Sequence, residues 1–224
     1  MFSPSTFSFL DALSRNNERQ WFEAHKEEYE TAVRQPALEF IEAMSPHLAK
    51  FAPNFRAEAK KVGGSLMRIQ RDTRFSHNKM PYKTNIGIQF RHSLGKDIHA
   101  PGFYLHIAPE ECFVGVGCWH PEADALALIR LRIAEYPELW FAAKDDKKFT
   151  KLYTLEGDSL TRPPKGYAAD HPAIADLKRK DFIGLSALAR EEIIGKNLVK
   201  IASTRFSASI PLMGFLCDAL NVKL

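Results

Sequence analysis

Three observations place the chain in the α+β class: a helical period over its first quarter, an apolar/polar alternation through its middle third, and helical patterns again towards its end. Together they predict a central, mostly antiparallel sheet, with a long N-terminal helix and C-terminal helices covering its apolar face. The expected division is a single domain over 1–224, with a helical start at about 5–52, a sheet core at about 65–119 and mixed helix and strand over about 121–224.

Phe7–Leu13 reads as a short helix with Thr6 or Ser5 to cap it. Asn17, followed three residues later by Gln20, resembles a capping box opening a second, longer helix. Its apolar stripe, Phe22, Tyr29, Val33, Ala37, Phe40, Met44, Leu48 and Phe51, recurs at three-, four- and seven-residue steps and predicts core packing. Pro36 should kink this helix and Pro46 should disturb its last turns. Ile86, Ile88 and Phe90, then Phe103, Leu105 and Ile107, then Val114 and Val116 alternate with polar or small residues, as strands with one apolar and one mixed face do. Ser65–Arg71 is expected to supply another strand. Glu122–Tyr136 is helical between Pro121 and Pro137, and a further turn is expected over Pro137–Ala143. Lys147–Pro164 carries no clear period and reads as short strands. Asp170 is expected to cap a helix over Ala173–Lys180, in whose last turn Lys178, Arg179 and Lys180 would complement the dipole. Phe182–Leu188 suits a strand, and Leu198–Leu220 is helical around Pro211.

Composition narrows the class of function. Of the 224 residues, 45% are hydrophobic and 26% charged, values of an ordinary globular chain rather than a disordered one. The longest uncharged stretches, Ile98–Pro109 and Phe206–Cys217, run 12 residues each, too short to span a bilayer. The opening MFSPSTFSFL lacks a basic segment and is expected to be part of the fold, not a signal. Three cysteines, Cys112, Cys118 and Cys217, without C-x-x-C spacing predict free thiols in a reducing compartment, the cytoplasm. Net charge is +4, but residues 56–83 hold eight Lys or Arg against Glu58 and Asp72. A basic excess so localised favours an anionic partner.

The chemically distinctive segment runs from Arg68 to Lys83. Arg68, Arg71, Arg74, Lys79 and Lys83 are interleaved with Phe75 and Tyr82, and Pro81 restricts the backbone. Asp72, Ser76, His77 and Asn78 are turn formers, so the segment can fold back and gather two or three cations on one side. Arginine forks suit bidentate contact with phosphate or carboxylate, and lysine adds a point charge. On the mixed sheet face, Asn85, Gln89, Arg91, Tyr104 and His106 alternate with apolar neighbours, and Trp119 offers a stacking surface. The seven-residue recurrence of His92, His99 and His106 is broken by Gly95, Pro101 and Gly102 and is read as accidental. Cys118 and His120 lack a second pair at ligand spacing, so no metal site is expected. No phosphate-loop, dinucleotide or nucleophile-elbow glycine motif occurs.

The pattern Arg71-Asp-x-Arg-Phe-Ser-x-x-Lys-x-Pro-Tyr-Lys83 resembles the signature of a widespread bacterial and fungal family catalogued as a conserved domain of unknown function. Asn16-Asn17 with Trp21-Phe22, Gly115-Val-Gly117, Lys165-Gly-Tyr and Asp170-His171-Pro172 extend the resemblance along the chain. It implies a shared fold and transfers no reaction. The family commonly carries an acid where this chain has Asn78.

Three functions follow from the residues. The first is a site for a small anionic ligand, bearing phosphate or carboxylate, on Arg68, Arg71, Asp72, Arg74, Lys79, Tyr82, Lys83, Tyr104 and His106. In a catalytic version the cations stabilise developing negative charge, Asp72 or His106 acts as acid or base, and Tyr82 or Tyr104 orients the ligand. The second is structural, the arginines pairing with carboxylates such as Asp72. The third, ranked last, is a weak nucleic-acid module, because basic patches of such domains usually extend over a face. No membrane contact is expected, and the sequence names no cofactor.

Overall fold

The computed structural model describes residues 1–74, 77–94 and 101–224. Phe75 and Ser76 of the basic segment, and Gly95 and His99, lie outside the described residues. The chain opens with α1 (Pro4–Arg15), α2 (Arg19–Ala24) and α3 (Lys26–Tyr29), then a π-turn over Glu30–Arg34 that leads into α4 (Gln35–Phe51). The single long helix expected after Asn17 is therefore broken. Pro36, without an N–H to continue the ladder, sits in the first turn of α4, where that N–H is not needed. The π-turn lies immediately before it, whereas Pro46 is carried inside α4, which runs on to Phe51. Thr6 is not the cap of α1 but part of its first turn: its Oγ1 accepts from the Ser3 amide at 3.2 Å and donates to the buried Ala32 carbonyl at 2.7 Å.

Among the described residues a six-stranded antiparallel sheet follows, built from β1 (Phe55–Arg56), β2 (Ile86–His92), β3 (Gly102–Ile107) and β4 (Cys112–Cys118) and, after helices α5 (Ala123–Glu135), α6 (Pro137–Lys144) and α7 (Lys147–Leu152), β5 (Thr154–Glu156). Helix α8 (Ile174–Leu177) precedes the last strand, β6 (Phe182–Ala187). The order is β1-β2-β3-β4-β6-β5, with Ile88 opposite Leu105 and Leu105 opposite Val114 in the central register. Helices α9 (Arg190–Ile194), α10 (Leu198–Ala208) and α11 (Ile210–Ala219) close the chain.

Several boundaries differ from the sequence reading for local reasons. Asp146 caps α7 by accepting the Lys148 and Phe149 amides, so the first third of the segment expected to form short strands is helical. Asp170 does not cap α8; the cap position is Ala173, whose own amide donates to His171 Nδ1 at 3.0 Å. Arg179, expected to act on a helix dipole, lies on Asp176 at 3.2 Å. His92 is a core residue: Nδ1 accepts the Leu94 amide, so Nε2 donates to the Lys223 carbonyl at 2.8 Å.

The apolar stripe packs on the sheet as its period predicts. Phe40 of α4 meets Phe90 of β2 with ring centroids 6.4 Å apart, and Phe51 meets Phe103 of β3 at 6.0 Å. Phe206 of α10 closes the cluster, edge-on to Phe90 and Phe103. Trp140 of α6 sits between Phe182 of β6 and Phe215 of α11. Among the described residues no helix is long and apolar enough to cross a membrane. Because Phe40 is wholly buried, Phe40→Ala should lose about 3–5 kcal/mol in chemical denaturation. A loss below about 1 kcal/mol would remove α4 from the core.

Candidate functional site

The basic segment is the end of an irregular hairpin. Leu66 bridges to Ile88 and Gln70 to Tyr82, four residues apart on one arm against six on the other. That slip stops Ser65–Arg71 from forming the regular strand its pattern predicts and leaves a bulged ladder. Its rungs are Met67 N–H to Gly87 O, Lys83 N–H to Ile69 O and Arg71 N–H to Pro81 O.

Beyond the ladder, Tyr82 needs partners on its other edge, and Asn17 supplies them. The Asn17 Oδ1 accepts the Tyr82 amide and its Nδ2 donates to the Tyr82 carbonyl, each at 3.0 Å. A side-chain amide thus reproduces the paired bonds of a neighbouring strand, which is why Asn17 does not cap α2. The Tyr82 ring is buried and stacks on Phe22 of α2, centroids 4.2 Å apart. These contacts join two parts of the sequence that carry the family resemblance, Asn17 with Trp21-Phe22 and Pro81-Tyr82.

Where α2 meets the hairpin lies a cleft of about 290 Å3, lined by Arg19, Glu23, Gln70, Arg71, Pro81 and Tyr82, with Thr73 at its edge. Neither the Arg19 nor the Arg71 guanidinium has a hydrogen-bond or ion-pair partner among the described residues, while the Glu23 carboxylate lies 3.6 Å from the Lys26 ammonium. The Tyr82 hydroxyl is pushed up by burial and then by Glu23, against the opposing pull of Arg19. Arg19 gave no signal of its own in the sequence; only its place beside Trp21-Phe22 marks it.

The other candidate residues are distributed around this cleft. Asp72 takes the Arg74 guanidinium through both carboxylate oxygens and its amide as well, and this pair is exposed. Hydrogen bonding from Arg74 holds the Asp72 carboxyl below its usual range. The Lys79 ammonium donates to the Thr73 carbonyl at 3.0 Å, and Asn78 Oδ1 accepts the Met80 amide in a local turn. Neither Arg74 nor Lys83 is among the described lining residues of the cleft. Lys83 follows Tyr82 in extended chain, so alternation sends it to the opposite face. Burial first and Arg68 second lower the affinity of its ammonium for a proton.

Tyr104 and His106 sit together on the mixed face of β3. Gly87 lies opposite His106, and a Cβ there would fall 2.8 Å from the Tyr104 hydroxyl and from Met67 Sδ. The glycine therefore clears the space in which Tyr104 lies across β2. The Tyr104 hydroxyl is 3.0 Å from His106 Nδ1, and Asn85 Nδ2 is at 3.5 Å. With an amide donor beside it, Nδ1 is the acceptor and Nε2 carries the proton. The imidazole stacks flat on Phe113, centroids 4.7 Å apart. Burial raises the Tyr104 phenol to about 12 and lowers His106, the latter against the pull of Glu111 and Glu110. No group of metal-ligating side chains occurs among the described residues.

Comparison with known proteins places this arrangement in a class. The chain belongs to a family of conserved hypothetical proteins, DUF2461, whose model matches residues 5–215. That span takes in α1, the Asn17 clasp, the hairpin, the whole sheet and most of α11. No curated protein and no solved structure matches the chain.

Two expectations follow. Asn17→Ala strands both backbone groups of Tyr82 and should cost about 1–3 kcal/mol, with Asn17→Asp in between because one of the two bonds survives. A denaturation curve for Asn17→Ala that overlays the wild type would sink the clasp. His106, lowered from an ordinary value of 6.5, contributes stability that is complete above that value. The contribution falls as pH drops below it, because the unfolded chain then binds the proton first. The wild-type minus His106→Gln difference in stability should therefore shrink between pH 7 and pH 5; a difference that grew on acidification would reverse the assignment.

Proposed function

We propose that the chain binds a small phosphate- or carboxylate-bearing ligand in the cleft between α2 and the Arg68–Lys83 hairpin. The observation that carries this reading is the pair of guanidiniums, Arg19 and Arg71, that flank one concavity without partners among the described residues. Two like charges held beside a half-buried surface destabilise the free protein, and an anion between them removes that repulsion while satisfying both forks. The Asn17 clasp fixes the hairpin against α2, so both arginines are positioned before the ligand arrives. Gln70 and Thr73 add neutral donors, and the Tyr82 ring forms an apolar wall.

The reading is one of binding. Of the acids and bases expected from the sequence, Asp72 is engaged by Arg74 and His106 is not among the cleft's lining residues; the carboxylate that lines it is Glu23, which has Lys26 at 3.6 Å. The exposed Asp72–Arg74 pair contributes little to stability in the way surface pairs generally do. That weakens the purely structural account of the cations, although Pro81 and Tyr82 do build the fold.

A thermal-shift series with inorganic phosphate, sulfate, citrate and a nucleoside monophosphate tests the site. At a hundredfold excess over Kd, a true ligand should raise Tm by roughly 5–10 °C. Arg71→Ala and Arg19→Ala should each abolish the rise without unfolding the protein, and Arg74→Ala should leave it in place. If no anion shifts the wild type, the ligand site does not exist; if Arg71→Ala alone unfolds the chain, the arginine belongs to the fold.

A further inference from the structure

At the end of the sheet opposite the cleft, three strand ends converge. Cys118 closes β4 opposite Phe182, which opens β6, and Gly157 follows Glu156 at the end of β5. Asp181, just before β6, is buried there, 1% exposed. Its Oδ1 accepts the His120 amide at 2.7 Å and lies 3.0 Å from the His120 ring Nδ1, and its Oδ2 accepts the Asp158 amide at 3.0 Å. One desolvated carboxylate therefore ties two loops together and sits against the Nδ1 edge of the imidazole.

The backbone around it is held in unusual conformations. His120 has φ +47° although it carries a side chain and precedes Pro121. Gly117 has φ +107°, and a Cβ there would fall 2.0 Å from the Phe182 carbonyl oxygen. Gly157 has φ +113°, and a Cβ there would meet Asp181 at 2.4 Å. What this constraint presents to solvent is a pair of rings. Trp119 is 72% exposed and stacks on His120, centroids 4.7 Å apart and planes 27° apart. With one indole face on the imidazole, that degree of exposure leaves the other face open.

A single exposed tryptophan on a loose loop would call for no explanation. This one is fixed from beneath by a buried carboxylate and a strained turn, so the ordering cost of a stacking surface is already met in the free protein. We propose that Trp119 and His120 form a binding platform for the planar heteroaromatic ring of a small ligand. The ring extends the indole–imidazole stack on its open side, and His120 and Asp181 position the indole. Glu122 lies two residues beyond His120, Asp158 lies on the loop that Asp181 ties to it, and of the cations that run directly before Asp181 (Lys178, Arg179, Lys180) Arg179 is engaged by Asp176. A nucleic-acid strand needs successive stacking platforms along a basic groove, whereas one indole–imidazole stack suits a single free ring.

Saturation-transfer NMR on the ligand's own protons tests this without relying on tryptophan emission. Adenosine and uridine serve as probes, with a ten-residue oligothymidine as the strand arm. The wild type should transfer to the base protons more than to the ribose, with half-saturation on the order of millimolar, as one stacking contact allows. Trp119→Ala should abolish the transfer. His120→Asn, which tolerates positive φ and keeps its amide on Asp181, should weaken it at least threefold at unchanged Tm. No transfer to any base, or equal transfer in Trp119→Ala, overturns the proposal. So does binding of the oligonucleotide alone, which would assign the platform to a strand.

Discussion

The arrangement around the cleft depends on the chain at Tyr82 being hydrogen-bonded along both edges, Pro81 and Lys83 to the opposite arm of the hairpin and Tyr82 itself to Asn17. Gln70 lies across one edge as an incomplete strand, and the Asn17 side chain completes the other. Buried peptide groups have to be paired, so without Asn17 that stretch of the hairpin would have to turn outward to water. With Asn17 in place, the Tyr82 ring is held on Phe22 and the short helix α2 is pinned against the hairpin, although six residues would be marginal as an isolated helix. The cleft exists because these two elements are held apart at a fixed distance by that one amide.

The signature segment thus divides into two kinds of residue. Pro81 and Tyr82 are part of the packing, and Asp72, Asn78 and Lys79 shape the turn through local bonds. Arg71 is left facing a cavity, and Arg68 with Lys83 lies on the other face of the hairpin. A stretch of thirteen residues from Arg71 to Lys83 therefore combines structural and solvent-facing demands, and the pattern alone does not separate them.

Most of the sheet and its covering helices were legible because burial imposes a period. Ile86, Ile88 and Phe90 alternate since only one face of β2 meets helices, and the Ala37–Phe51 part of the stripe recurs because α4 lies on that face. What escaped the sequence depends on partners distant along the chain. Asn17 carries the spacing of a helix cap, yet Tyr82, sixty-five residues away, takes both of its bonds. Ser65–Arg71 alternates like a strand, but its register slips against the opposing arm. Arg19 enters the candidate site only because Tyr82 brings α2 to the hairpin, and His120, read from the sequence as part of no metal site, gains its setting only from Asp181, sixty-one residues away. Periodicity reports which face of an element is covered; it does not report which side chain substitutes for a backbone.

The π-turn at Glu30–Arg34 offers another view of the N-terminal helices. Such a turn accommodates one residue more than regular helix would. Phe22 and Tyr29 before it, and Ala37, Phe40 and Met44 after it, are buried on one continuous face despite that extra residue. A chain lacking one residue there would form straighter helix and swing its leading segment by about 100°, carrying Phe22 away from Tyr82. Relatives that differ in length at this point should therefore differ in how α2 reaches the hairpin, even where every residue of the hairpin is the same.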